Sequence, residues 1–234
     1  VSGRVSVSAP ATGTPPSLDI TGTGGGQSGT ADNHGVLIGN QATVSGEGPI
    51  VVTGTAGPST TLATSPYTSS SGIYLNSAHA NSPDGPITFK ADSFRLQGTA
   101  GSIATGGTVA FENTVDGQTM LLDKPVNAVL ARTYAQTIRY GTTNAVIEQD
   151  AAAGGGDLVI GIPALVVAGS KIRLRANVTS GGAQTWNGPV VLGEPTAKSA
   201  AAGDVRLAGG GITLAGTVDG AKNLTLSSKS SPIA

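Results

Sequence analysis

Any chemistry in this chain must come from few groups, because its 234 residues include 14 Asp and Glu, 13 Lys and Arg, 2 His and no Cys. Cleavage of a glycosidic bond needs two carboxylates within several ångströms of each other. The best-spaced pair is Glu47 and Asp84, 37 residues apart (84 minus 47), each directly ahead of a Gly-Pro-Ile. A structural repeat of that length would set them side by side. Acids in such places also serve as turn residues that bond their own backbone, and this is the preferred reading. Asp116 and Asp219 each lie in a Thr-Val-Asp-Gly tetrapeptide, where Asp-Gly favours a turn with positive φ and explains the carboxylate without catalysis. His34 and His79 are 45 residues apart (79 minus 34) and out of register with that repeat, so they are not expected to act as paired ligands. Without Cys there is no disulfide and no thiolate metal site. No catalytic, cofactor or metal residue is assigned, and the chain is not expected to be an enzyme.

The run Lys171, Arg173, Arg175 alternates with Ile172 and Leu174. On a strand this places three positive charges on one outward face. They discourage edge aggregation and make a candidate contact for acidic glycans or an anionic surface polymer. Glycines at Gly22, Gly24, Gly25 and Gly26 are followed by no Lys-Ser/Thr and no helix, so they do not form a phosphate loop. Asn177-Val178-Thr179 and Asn223-Leu224-Thr225 match the glycosylation sequon, a short pattern common by chance. Tyr67, Tyr74, Tyr134, Tyr140 and Trp186 are too few for an aromatic sugar platform, and Trp186 is expected at a coil corner.

The elements that must hold these residues are read from composition and repetition. Charged residues make up 12% and hydrophobic residues 38% of a chain that has 36 Gly. Near-neutral charge with so few charged residues excludes a nucleic-acid binder, and a real apolar fraction excludes a polyelectrolyte tail. The longest apolar runs, Leu158–Ile162 and Ala164–Ala168, are broken at Pro163 and fall short of a membrane span, so none is expected. Met120 is the only methionine, and the opening Val-Ser-Gly-Arg has no signal-peptide pattern. The chain is therefore expected to be a piece of something longer.

Gly35-Val36-Leu37-Ile38 recurs as Gly72-Ile73-Tyr74-Leu75, and Gly48-Pro49-Ile50 recurs as Gly85-Pro86-Ile87, both at an offset of 37 (72 minus 35, 85 minus 48). Leu18-Asp19-Ile20-Thr21-Gly22-Thr23 matches Ile50–Thr55 at 32 (50 minus 18), as if a loop were about five residues shorter. Apolar residues alternate in pairs such as Ile87/Phe89, Val109/Phe111, Ile172/Leu174, Val205/Leu207, Ile212/Leu214 and Leu224/Leu226. Turn signals at Asp84-Gly85, Asp116-Gly117, Asn187-Gly188 and Asp219-Gly220 separate them. The pattern predicts an all-β chain of short parallel strands stacked as a β-solenoid, with short turns. Two strand-like runs per copy suggest coils of roughly 18 to 19 residues, about twelve in number, forming a stiff rod of order 55 Å. One short helical turn is expected over Pro125–Tyr134, and a loop interruption near 147–157, within a single solenoid segment over 1–234. The end coils present open edges, so self-association through coil ends is expected as an alternative.

Trp186-Asn187-Gly188-Pro189-Val190-Val191-Leu192, Gly203-Asp204-Val205-Arg206-Leu207 and Gly216–Leu226 resemble the repeats of large bacterial exoproteins of the filamentous haemagglutinin type. The stretch Asn127–Arg132 leading to Thr137-Ile138-Arg139-Tyr140-Gly141 is similar to another segment of those proteins. The resemblance is closest over 85–228. It implies a right-handed parallel β-helix, export from a Gram-negative bacterium with an outer-membrane partner or as an autotransporter passenger, and a secreted or cell-surface location. It also implies a role in adhesion or surface structure, touching host-cell or matrix glycans, and it supplies no catalytic motif. The expected function is a structural or adhesive rod with a polar surface. The alternatives are a self-assembling subunit of an extracellular filament or sheath and, from another class, a β-helix enzyme that degrades polysaccharide.

Overall fold

A computed structural model describes residues 4–7, 16–25, 33–39, 42–57, 70–97, 102–122, 124–149, 157–161, 163–193 and 203–228, and the structural statements below concern those residues. Nearly everything described is short parallel strand, with one helix, Lys124–Leu130. The strands build stacked parallel sheets, the all-β architecture expected for a parallel β-helix. The chain divides into two compact units, Val1–Val115 with Arg132–Ala135 and Asp116–Ala131 with Gln136–Ala234.

The first unit has three sheets visited in turn. One stacks Arg4–Val7, Thr43–Gly46, His79–Ser82, Ser102–Thr105 and Thr133–Tyr134. Another stacks Leu18–Thr23, Ile50–Thr55, Ile87–Ala91 and Thr108–Asn113, and the last stacks Val36–Gly39, Ile73–Asn76 and Phe94–Gln97. Ile50 meets Ile87 and Val36 meets Ile73, both at the expected offset of 37 (87 minus 50, 73 minus 36). Leu18 meets Ile50 at 32 (50 minus 18), so that copy is indeed shortened. However, the 37 residues are one full coil with three strands, not two coils of 18 to 19. The next step, Ile87 to Val109, takes only 22 (109 minus 87). Among the described residues no sheet of a unit has more than five levels, so the expected twelve short coils are not seen there; one repeat of 37 residues carries three strands, one for each sheet.

Inward residues repeat coil over coil. Ile50, Ile87 and Val109 are buried in one column and Val52, Phe89 and Phe111 in the next. Phe89 and Phe111 stack at 5.2 Å and 17°, and Phe94 meets Phe111 edge-on at 6.0 Å and 77°, adding about 1 kcal/mol per pair beyond area burial. Gly54 is the next-to-last residue of Ile50–Thr55, and a Cβ there would lie 2.0 Å from the Gly72 carbonyl oxygen. One coil on, Ala91 takes the matching position, because the chain turns at once through Asp92 and Ser93 into Phe94–Gln97. Buried hydroxyls pin the Gly-Pro corners: Ser82 donates to Gly48 O at 2.6 Å and Thr105 donates to Gly85 O.

The second unit repeats the plan. Its sheets are Thr119–Leu122, Val146–Gln149, Lys171–Leu174, Val190–Leu192 and Val218–Gly220; Thr137–Tyr140, Ala164–Ala168, Gln184–Asn187 and Ile212–Leu214; and Leu158–Ile160, Val178–Ser180, Val205–Gly209 and Leu224–Ser228. The expected helical turn is Lys124–Leu130, packed through buried Val126, Val129 and Leu130. It stops short of Tyr134, which with Thr133 pairs as a strand in the first unit. Of the loop expected over 147–157, residues 147–149 complete a strand, and 150–156 lie outside the described residues, as do Gly26 and Tyr67.

Trp186 is not at a corner. It is fully buried inside Gln184–Asn187, and its indole Nε1 donates to Gln184 Oε1 at 3.3 Å. Gln184, also buried, donates through Nε2 to Ala208 O at 2.7 Å and Val178 O at 3.2 Å. Gly117, Gly188 and Gly220 adopt φ of 71°, 147° and 119°, as their Asp-Gly and Asn-Gly turns required. Gly85 instead serves close approach, since a Cβ would sit 2.4 Å from Gly48 C. The last coil differs from the rest: Val218 is 42% and Leu226 51% exposed, whereas Val190 and Leu207, their register partners, are buried. No helix among the described residues is long and apolar enough to cross a membrane.

Candidate surface-contact site

Lys171–Leu174 runs between Val146–Gln149 and Val190–Leu192. Ile172 and Leu174 are buried, so the alternation turns Lys171 and Arg173 outward, both partly covered. Register sets Arg173 opposite Glu148, and the ions lie 3.7 Å apart. Arg175 departs from the expected outward stripe. It is 3% exposed, 3.9 Å from the other Glu148 oxygen. The reason is that the strand ends at Leu174 and the chain turns: Gln149 Oε1 accepts from the backbone N–H of Arg175 at 3.0 Å and of Ala176 at 2.9 Å. The expected three-cation face is thus a carboxylate flanked by two guanidinium groups, with Lys171 beside it. The partly covered Arg173–Glu148 pair contributes at most about 1 kcal/mol. For Arg175, much of the attraction offsets the desolvation of a buried guanidinium.

Sequence reasoning missed a second polar device. An Asp or Asn stands directly ahead of each strand in one sheet of this unit: Asp157, Asn177, Asp204 and Asn223. Asp157 accepts from Asn177 backbone N and from Nδ2, each at 3.1 Å. Asp204 accepts from Asn223 in the same way, at 3.1 and 3.2 Å. Asn177 in turn accepts from Arg206 N at 2.8 Å. The backbone hydrogen bond from Asn223, then its side-chain amide, and the nearby charge of Lys222 hold the Asp204 carboxyl below the ordinary carboxylate value, against a smaller opposing effect of burial. Both sequon asparagines therefore have a structural use. The signal in the sequence is an Asx directly ahead of each apolar pair, of which the sequon pattern marks only Asn177 and Asn223.

Of the other singled-out residues, only Glu47 and Asp84 fall in matching register on adjacent coils, as their 37-residue spacing predicts. Glu47 and Asp84 are both exposed at corresponding corners of adjacent coils. Asp116 accepts from Asn144 Nδ2 at 2.8 Å, and Asp219 from the N–H of Gly220 at 2.7 Å. His34 Nδ1 accepts from Ser71 N at 3.1 Å, and His79 Nδ1 lies 3.2 Å from the Oγ of Ser102, its register partner on the adjacent strand.

The fold and the polar face define a stacked parallel β-solenoid. Compared with known proteins, the chain matches no family model, no curated protein and no solved structure.

Proposed function

We propose that this chain is a structural or adhesive segment of a secreted bacterial surface protein of the filamentous haemagglutinin type, in which rigidity and a repetitive polar face are the working properties. The observation that carries this reading is the coil-by-coil division of each unit into an apolar interior and outward polar columns. Thr21 stacks on Thr53, Lys90 on Glu112 at 3.7 Å, and Glu148 on Arg173. A parallel ladder satisfies its own backbone, so the outward side chains are held at the sheet spacing of roughly 4.8 Å. Such a lattice suits repetitive polar partners, with host-cell or matrix glycans as the class and an outer-membrane protein as the export partner. The test is adhesion of beads coated with the purified chain to glycan-coated surfaces. Adhesion several-fold above albumin-coated beads, weakened by salt and by Lys171→Glu with Arg173→Glu, supports the reading. Adhesion equal to albumin overturns it.

A second reading is self-association of this segment through the coil on which Val218 and Leu226 are exposed. Parallel strand edges beside uncovered apolar side chains form a template for another coil. Light scattering across concentration tests it, since monodisperse chain at high concentration excludes assembly by this segment alone.

A further inference from the structure

We propose that Asp219-Gly220 is a self-modification site: the Gly220 amide nitrogen closes onto the Asp219 side chain, and the strand passes through a succinimide to isoaspartate. The inference is independent of what the protein contacts. The chain supplies its own comparison, because Thr114-Val115-Asp116-Gly117 and Thr217-Val218-Asp219-Gly220 are the same tetrapeptide. Exposure does not separate the two, since Val115 is 52% and Val218 42% exposed and both Asp-Gly pairs lie open to solvent. What separates them is the partner that each reacting group has.

At Asp116 both groups are committed to the neighbouring coil. The carboxylate accepts from Asn144 Nδ2 at 2.8 Å, and the Gly117 N–H donates to Asn144 O, also at 2.8 Å. At Asp219 the Gly220 N–H donates instead to Asp219 Oδ1, at 2.7 Å. The sheet edge explains why that nitrogen is available. Val218–Gly220 is the outermost strand of its sheet among the described residues, and Val190 N donates to Thr217 O below it at 2.8 Å. Backbone groups alternate sides along a parallel strand, so Gly220 N, three residues on, faces away from that partner. Because Oδ1 is bonded to Cγ, the nucleophile already meets the group it attacks, which removes much of the entropy cost of ring closure. The remaining Asp-Gly, Asp84-Gly85, is fixed by packing: Gly85 is buried, its carbonyl takes the Thr105 hydroxyl, and a Cβ on it would collide with the Gly48 backbone.

The reaction needs only water. A bond forms between Gly220 N and Asp219 Cγ, and one carboxyl oxygen leaves as water with the proton of that nitrogen and one proton from solvent. Water then cleaves the bond between Gly220 N and the main-chain carbonyl carbon of Asp219. The chain is left joined through Cγ, one methylene longer in its backbone, with the former main-chain carbonyl as a free carboxylate. That extra length has no room here. Asp219 pairs with Val191 and Gly220 with Leu192, and even a Cβ on Gly220 would collide with the Leu192 backbone. Isoaspartate therefore unpairs Val218–Gly220 from Val190–Leu192 and frees the sheet edge that they cover.

The test is prolonged incubation of the folded chain at neutral pH, with isoaspartate located and quantified by peptide mass spectrometry. Isoaspartate is expected to accumulate at Asp219 about tenfold or more faster than at Asp116 or Asp84. In the urea-unfolded chain, where the shared tetrapeptide alone sets reactivity, Asp219 and Asp116 should react alike. Accumulation at Asp219 no faster than at Asp116 in the folded chain overturns the proposal, and so does an Asp219 lead that survives unchanged in urea. The unpairing is read by amide hydrogen exchange on the separated isoaspartate form. There the Val190 amide, whose acceptor is Thr217 O, should lose protection relative to the parent chain. Equal protection in the two forms overturns the unpairing.

Discussion

Leu207 and Leu226 occupy the same inward position on successive coils, paired directly in register, yet Leu207 is 0% and Leu226 51% exposed. Truncating each to alanine therefore separates burial from every other property of the site. Leu207→Ala removes a fully buried side chain and leaves a cavity between coils, a change that costs about 2–5 kcal/mol. Leu226→Ala loses roughly half of the 1.5–3 kcal/mol that complete burial supplies, so about 1 kcal/mol. It has no cavity term, because solvent fills the space. Urea unfolding at micromolar protein, followed by circular dichroism, measures both. The midpoint shift for Leu207→Ala should be at least twice that for Leu226→Ala, and fraying of the last coil ahead of the rest would shrink the second value further. Equal shifts at micromolar concentration would refute the reasoning, since Leu226 would then be covered in solution. A cost for Leu226→Ala that rises with protein concentration would identify the cover as a second copy of the chain.

Other expectations follow from single positions. Gly54→Ala forces a methyl to within 2.0 Å of a backbone oxygen and should cost more than about 3 kcal/mol or prevent folding, whereas Gly211→Ala, with nothing within 4 Å, should stay within about 0.5 kcal/mol; thermal melts compare them. Gln184→Leu leaves Trp186 Nε1 and the carbonyls of Val178 and Ala208 without their partner and should destabilise by at least about 2 kcal/mol in urea titration. The depressed Asp204 carboxyl contributes stability that is complete above the unfolded carboxylate value of about 3.9 and is lost as pH falls through its lower folded value. Accordingly, Asp204→Asn should be less stable than the parent at neutral pH, with the difference closing in acid. A constant difference down to strongly acidic pH would count against that assignment.

Particular residues show what was legible without coordinates. Ile50 and Ile87, or Val36 and Ile73, announced their pairing because a solenoid repeats its inward residues at the offset at which they stack. Period-2 alternation announced which of Ile172 and Arg173 turns inward, because adjacent strand residues must face opposite ways. Pro125 and the spacing of Val126, Val129 and Leu130 marked the one helix. Coil length was not legible, since the same 37 residues fit one three-stranded coil or two shorter ones, and only the path around the corners distinguishes them. Trp186 precedes Asn-Gly and so reads as a corner residue in sequence, but the strand runs through Asn187 and only its partners on neighbouring coils show that it is enclosed. Arg175 continued the alternation in sequence, and the turn held by Gln149, 26 residues earlier, took its side chain inside.

The sequence by itself determined the parallel stacked strands, the register of the long repeat and the inward and outward faces, because these depend on local alternation and on repetition. Only the tertiary structure decided how many residues close a coil, which charges are neutralised by the coil below, and that a histidine accepts a buried backbone N–H. Each of these depends on groups roughly 20 to 40 residues apart that meet only when one coil lies on the next.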